Sequence, residues 1–169
     1  MFLVRRARPE ELPKLARIER SAASLFREVG LAWIADGDTM DPALLDTMCR
    51  NGTVWVATDG TDEPVAFLAA HALDEKFHIA EVSVARSHQR RGIGAALLAA
   101  AADHARTKRF RGLTLTTYRD LLWNGPFYSA LGFVEVDASE AGPGHLRKLR
   151  TEVKAGHDLS RRCIMTKAL

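Results

Sequence analysis

In the stretch HQRRGIGAALLAAAADHA, from His88 to Ala105, two arginines and two glycines stand directly before a run too rich in alanine to be anything but helix. The first N–H groups of a helix have no partner inside it, and its aligned peptide dipoles leave partial positive charge at that end. A glycine turn lets an anionic group come close to those amides. In QRRGIG, Gly92 and Gly94 supply that access, and Arg90 and Arg91 add side chains suited to charge-assisted hydrogen bonds. The chemistry implied is the holding of a small phosphorylated ligand. Two common cradles do not fit: a dinucleotide fingerprint needs a glycine where Leu97 stands, and a P-loop needs a Gly-Lys-Ser/Thr ending. A shorter form, Gln/Arg-x-x-Gly-x-Gly/Ala after a strand that ends in valine, does fit.

The elements that must position this turn can be read from the surrounding pattern. FLVRRA predicts a first strand, and Pro9 followed by EELPKLARIERSAASLFREV predicts a helix, with Leu12, Leu15, Ile18, Ala22, Leu25 and Phe26 at helical spacing. GLAWIADGDTMDP interrupts the pattern, and PALLDTMCRNG restores a short helix closed by Asn51 and Gly52. TVWVATD, VAFLAAHAL and KFHIAEVSVAR follow in close succession and predict an antiparallel meander. After the alanine helix come a β-rich GLTLTTYRD, a short helix in NGPFYSALGF and a strand in FVEVDAS. A charged helix in LRKLRTEVKAG and a last strand in RRCIMTKAL complete the chain. The expectation is one α/β domain over residues 1–169, with a mixed, mostly antiparallel central sheet flanked by helices and one central crossover helix.

Composition narrows the function. A chain of 169 residues with 47% hydrophobic and 27% charged residues suits one globular core. Cys49 and Cys163 form no CxxC pair, which suits a reducing compartment and argues against a disulfide framework or a metal site. The opening MFLVRRARPEEL reads as neither signal peptide nor anchor, so a soluble cytoplasmic protein is expected. The basic and acidic side chains, 24 and 21, nearly balance, and only 7% of residues are aromatic, which speaks against a nucleic-acid stripe.

The stretch EVSVARSHQRRGIGAALLAAAADHA, followed by FYSALGF, resembles the GNAT superfamily of N-acetyltransferases, in the manner of its general bacterial members. The resemblance implies the acyl-CoA N-acyltransferase fold and acetyl-CoA as co-substrate. It implies that the backbone of Gln89, Gly92 and Gly94 binds the pyrophosphate, aided by Arg90, Arg91 and Ile93 of the same loop. It also implies that the backbone of Val82, Ser83 and Val84 pairs with the pantetheine arm like an added strand. Phe127 and Asn124 fall where the cofactor would continue, although Asn124 also reads as the N-cap of the GPFYSAL helix.

Acetyl transfer to an amine needs a neutral nucleophile, donors for an oxyanion and a proton for the departing thiolate. At pH 7 only roughly one lysine-like amine in 10³ is neutral, so a base is useful. The family counterpart of Tyr128 stands near the thioester sulfur, which gives Tyr128 the acid role; without the family it reads as a packing residue of a short helix. For the base the resemblance offers Glu81 first, at the offset used in polyamine-type acetyltransferases, and His78 second, with an imidazole suited to the task. Three residues apart, they fall on opposite faces of a regular strand unless a bulge intervenes. A backbone N–H at Val84 or Val82 is the expected oxyanion donor. Two departures stand out: Leu121 occupies a position where asparagine is common, and LTLTT carries threonines where ribosomal-protein N-terminal acetyltransferases carry glutamate.

The expected acceptor is a primary amine of a small molecule, with no nucleic-acid or membrane partner and a homodimer left open. Asp36, Asp38 and Asp41 in the variable loop are candidates to attract a cationic amine. A protein lysine or N-terminus as acceptor, or a non-catalytic acyl-CoA-binding regulator, remain alternatives.

Overall fold

Short runs of alternating and continuous apolar residues become strands that hydrogen-bond in the order β1-β2-β3-β4-β5-β7-β6. The computed structural model describes residues 1–169. By contact density the chain divides into two compact units, Met1–His71 with Ala80–Asp103, and Ala72–Ile79 with His104–Leu169. No helix is long and apolar enough to cross a membrane.

The first unit begins with β1 (Leu3–Arg6), followed by α1 (Leu12–Ala23), a one-turn α2 (Ala32–Ala35) and α3 (Pro42–Arg50). The long helix predicted from EELPKLARIERSAASLFREV keeps α geometry only to Ala23 and then tightens to a 3-10 helix over Ser24–Val29 that ends at Gly30 with φ 77°. Asp41 starts α3, its carboxylate accepting the Ala43 N–H at 3.2 Å. Gly52, at φ 74°, ends the turn after α3 in the left-handed conformation that glycine permits. Strands β2 (Val54–Thr58) and β3 (Pro64–Leu73) follow, β2 lying between β1 and β3 and antiparallel to both. One core joins Leu15 and Ile18 of α1 to Leu45 and Met48 of α3 over Val54, Val56, Phe67 and Ala69. The i, i+3 spacing of both helices thus meets the i, i+2 spacing of both strands. Every residue of β2 is buried, so both faces of that strand are covered.

Strand β4 (Lys76–Val84) leads through a 3-10 turn at Arg86–His88 into α4 (Ile93–Thr107). Ile93, Leu97, Leu98, Ala101, Ala102 and Ala105 form the buried stripe of α4. The helix is the crossover that a parallel strand pair requires, and β4 and β5 are parallel, with Phe77 opposite Leu113 and His78 opposite Thr114.

The second unit adds β5 (Gly112–Tyr118), α5 (Gly125–Ala130), the three-residue β6 (Val134–Val136), α6 (Ala138–Ala141), α7 (Pro143–Lys154) and β7 (Arg162–Ala168). Strand β7 is antiparallel to both β5 and β6. The charged helix starts earlier than LRKLRTEVKAG predicts: within the glycine and proline patch EAGPGH, Pro143 opens α7 three residues before Leu146. The predicted mixed sheet with flanking helices is therefore the observed architecture.

Candidate functional site

In the first unit, the turn between β4 and α4 is shaped by two left-handed residues, Arg90 at φ 61° and Gly92 at φ 80°. Gln89 closes the turn: its side-chain amide donates to the Val84 carbonyl at 2.9 Å, tying the loop to the end of β4. Arg91 donates to the Ser87 carbonyl at 3.2 Å and is exposed, as is Arg90. The Ala96 N–H is the first to reach back, to Gly92, so the amides of Ile93, Gly94 and Ala95 open α4 without partners in the helix. Fifteen aligned peptides stand behind them. Gly92 lacks a Cβ, and one built there would meet nothing within 4 Å; its conformation is what requires glycine. Amides and arginines make a donor set suited to a diphosphate.

Upstream on β4, Val82 and Val84 are half-buried and Ser83 is buried. Ser83 donates its hydroxyl to Glu81 at 2.9 Å, the two residues sharing a face as i, i+2 positions do. Glu81 is half-buried. Of the acidic loop, Asp36 pairs with Arg27 and Asp41 caps α3, so both have structural duties, while Asp38 is exposed. Glu19 went unnoticed in the sequence because it sits between apolar stripe positions of α1. It is half-buried, accepts the Met40 N–H at 3.0 Å, and burial pushes its carboxyl pKa up.

In the second unit, Tyr128 is buried on α5, its ring edge-on to Phe127 at 5.1 Å and to Phe133 at 5.7 Å. These contacts fix the ring plane. Asn124 stands at the N-cap of α5 but does not cap it; its side-chain oxygen accepts the Tyr118 N–H at 3.3 Å instead. That corrects the N-cap reading: the asparagine ties the end of β5 to the start of α5. The turn between them closes so tightly that a Cβ on Gly125 would lie 2.6 Å from the Arg119 carbonyl.

The threonines of LTLTT acquire a role that their spacing hinted at. Thr114, Thr116 and Tyr118 lie on one face of β5 and meet His145 and Glu152 of α7 and the following His157. His145, Leu149 and Glu152 are the i, i+4, i+7 positions of α7 that turn inward. Tyr118 Oη lies 2.6 Å from His157 Nδ1. Burial raises the phenol pKa and lowers the imidazole pKa, which suits a neutral pair with the phenol donating.

His78, the second candidate base, is fully buried, with Nδ1 3.0 Å from Thr114 Oγ1. The same hydroxyl lies 2.7 Å from Nε2 of His145, which is also fully buried. His145 Nδ1 is 2.9 Å from Asp74, whose carboxylate also accepts the backbone N–H groups of Gly144 at 3.1 Å and His145 at 2.8 Å. Burial pushes the Asp74 pKa up, but these donors outweigh it and hold the group below the ordinary carboxylate value. Asp74 and Glu75 form the β3–β4 turn in left-handed conformation. Sequence reading missed Asp74, Thr114 and His145 as a group.

The turn thus presents open helix amides and two arginines beside a mixed sheet. A family model described as an acetyltransferase (GNAT) domain matches residues 50–135. The chain belongs to that family and is an N-acetyltransferase. Solved structures share the fold. A PaiA N-acetyltransferase from Thermoplasma acidophilum in complex with coenzyme A is 16% identical at a TM-score of 0.72, covering 100% of this chain and 99% of that one. A GNAT-family acetyltransferase from Staphylococcus aureus is 17% identical at 0.71, covering 100% and 99%. The N-acetylglutamate synthase of Neisseria gonorrhoeae, complexed with coenzyme A and N-acetyl-glutamate, is 17% identical at 0.72; the match covers 100% of this chain but 35% of that one.

Proposed function

We propose that the protein transfers the acetyl group of acetyl-CoA to a primary amine of a small molecule by direct attack on the thioester. The observation that carries this is the β4–α4 turn, where left-handed Arg90 and Gly92 present the first amides of a 15-residue helix inside the stretch matched by the family model. Gln89, Gly92, Ile93 and Gly94 hold the pyrophosphate through their backbone, Arg90 and Arg91 neutralise it, and Val82, Ser83 and Val84 pair with the pantetheine arm. Asn124 and Phe127 complete the donor side. The fold likeness to a synthase crystallised with N-acetyl-glutamate supports a small-molecule acceptor.

In the reaction the amine lone pair attacks the thioester carbon, and the oxyanion is stabilised by a backbone N–H of Val84 or Val82. The carbon–sulfur bond breaks as Tyr128 gives its phenolic proton to the thiolate. Glu81 takes the ammonium proton, being half-buried where His78 is enclosed; His78 is the second base. Thiol release from acetyl-CoA over a panel of amines tests the proposal. Tyr128→Phe is expected to lower turnover on the order of 10²-fold or more while leaving acetyl-CoA affinity unchanged. Turnover equal to wild type would remove Tyr128 from the acid role, and acetylation of peptides alone would replace the small amine as acceptor.

A further inference from the structure

The four side chains Asp74, His145, Thr114 and His78 form one continuous hydrogen-bonded line within the second unit, with steps of 2.9, 2.7 and 3.0 Å. Their donor and acceptor capacities leave little choice of arrangement. An ionised carboxylate only accepts, so His145 carries a proton on Nδ1. When His145 is neutral its Nε2 is then an acceptor, and the Thr114 hydroxyl donates to it. The Thr114 oxygen is left to accept, so His78 donates from Nδ1 and its Nε2 keeps the lone pair. The two imidazoles also meet edge to face at 5.3 Å and 82°, which holds both ring planes. Burial of both histidines keeps water from competing for these bonds. At the far end, the Asp74 side chain is 17% exposed and so touches solvent.

We propose that Asp74, His145 and Thr114 are positioning residues: they fix His78 in the Nδ1–H tautomer, keep Nε2 as its basic nitrogen, and give a proton taken there a resting place on His145. The step balances without another reactant. His78 accepts a proton at Nε2 and releases the one on Nδ1 to Thr114; Thr114 passes its own hydroxyl proton to His145 Nε2. The result is a neutral His78 with its proton on Nε2 and an imidazolium at His145 beside the Asp74 carboxylate. No heavy atom has to move, because the same three contacts serve: the two made by Thr114 exchange donor and acceptor, and His145 Nδ1 goes on donating to Asp74. The inference rests on the reading of His78 as a base for acetyl transfer.

Histidine tautomers are read directly by long-range proton–nitrogen correlation spectra of the full-length protein labelled at its histidine nitrogens. His78→Gln and His145→Gln spectra identify the two sets of signals. The expected wild-type result near neutral pH is that both rings show a protonated Nδ1 and an unprotonated Nε2. Thr114→Val is expected to abolish the single-tautomer pattern of His78, and Thr114→Ser, which restores the hydroxyl, to recover it. A wild-type His78 protonated on Nε2 would overturn the relay, as would a Thr114→Val spectrum in which His78 is unchanged. If Thr114→Val does not fold, the wild-type tautomers and the Thr114→Ser spectrum still decide. The base reading fails separately: thiol release by His78→Gln equal to wild type would overturn the proton-sink role, whatever the spectra show. Acetyl-CoA binding reports on the acetyl-transfer reading itself.

Discussion

The turn between β4 and α4 and the buried line from Asp74 to His78 solve opposite problems with opposite materials. The turn is contiguous, exposed and made mostly of backbone: Gln89 to Gly94 lie within six positions, and its arginines face solvent. The line is discontinuous, buried and made of side chains drawn from a hairpin turn, two strands and a helix. A backbone site depends on local conformation and tolerates little change of φ, whereas a side-chain line depends on tertiary packing and on the state of each proton. Damage to the first should appear as lost ligand with the fold intact; damage to the second should appear as lost stability with ligand affinity intact.

The largest effect is expected from putting negative charge on the turn. Arg91→Glu with Gly94→Asp places two carboxylates where two phosphates are to be held, and like charges in contact cost several kcal/mol, which predicts coenzyme A binding weaker by on the order of 10² to 10³-fold. Stability should hardly move. Arg91 is exposed and makes a single hydrogen bond to the Ser87 carbonyl, and an acid in the first turn of α4 favours its dipole by about 0.3–1 kcal/mol. Calorimetric titration with coenzyme A beside a urea melt checks both halves. Unchanged affinity would remove the turn from the site.

Next comes the other region. Asp74→Ala removes the acceptor for two backbone N–H groups at the start of α7 and for the His145 imidazole, and should cost on the order of 3 kcal/mol at pH 7. Its pH dependence has a definite sign. The folded pKa of Asp74 lies below its unfolded value of about 3.9, so this stabilisation is complete well above that value and is lost as pH falls through the folded pKa. Urea midpoints of wild type and Asp74→Asn should therefore converge in acid. A gap that widens there, or a change in coenzyme A affinity at neutral pH, would contradict the division of labour between the two regions.

The same contrast explains what could be read from the sequence. The turn was legible because its determinants are adjacent: a valine-ending strand, a glutamine, two glycines and an alanine helix with Leu97 and Ala101 on its inner face. Strands such as VWVAT and PVAFLAAHAL were legible for the same reason, each carrying its own apolar run, and the mixed sheet was legible from the one crossover helix between β4 and β5. The buried line was not, since Asp74 and His145 are 71 positions apart and nothing local marks either as polar core. One signal was available: Thr114 and Thr116 alternate with buried Leu113 and Leu115, which announces a polar face on an interior strand. Asn124 failed in the instructive direction. Its place before a helix predicts a cap, but the tight turn at Gly125 turns its side chain to the Tyr118 amide.

The smallest effect is the most discriminating, because it separates the two duties of one glycine. Gly92 sits at φ 80° with no atom within 4 Å of a Cβ, so Gly92→Ala meets a conformational cost alone, roughly 1–2 kcal/mol. Asparagine tolerates the left-handed region better, so Gly92→Asn should recover most of that stability. Ligand affinity need not follow. If Gly92 serves only to bend the chain, Gly92→Asn will bind coenzyme A like wild type in the same titration. If it also keeps the surface low so that a phosphate can reach the amides of Ile93 and Gly94, affinity will stay reduced after stability has returned. The second outcome is the one expected of a backbone cradle, because the open space beside Gly92 is space a phosphate can use and an asparagine side chain would compete for it.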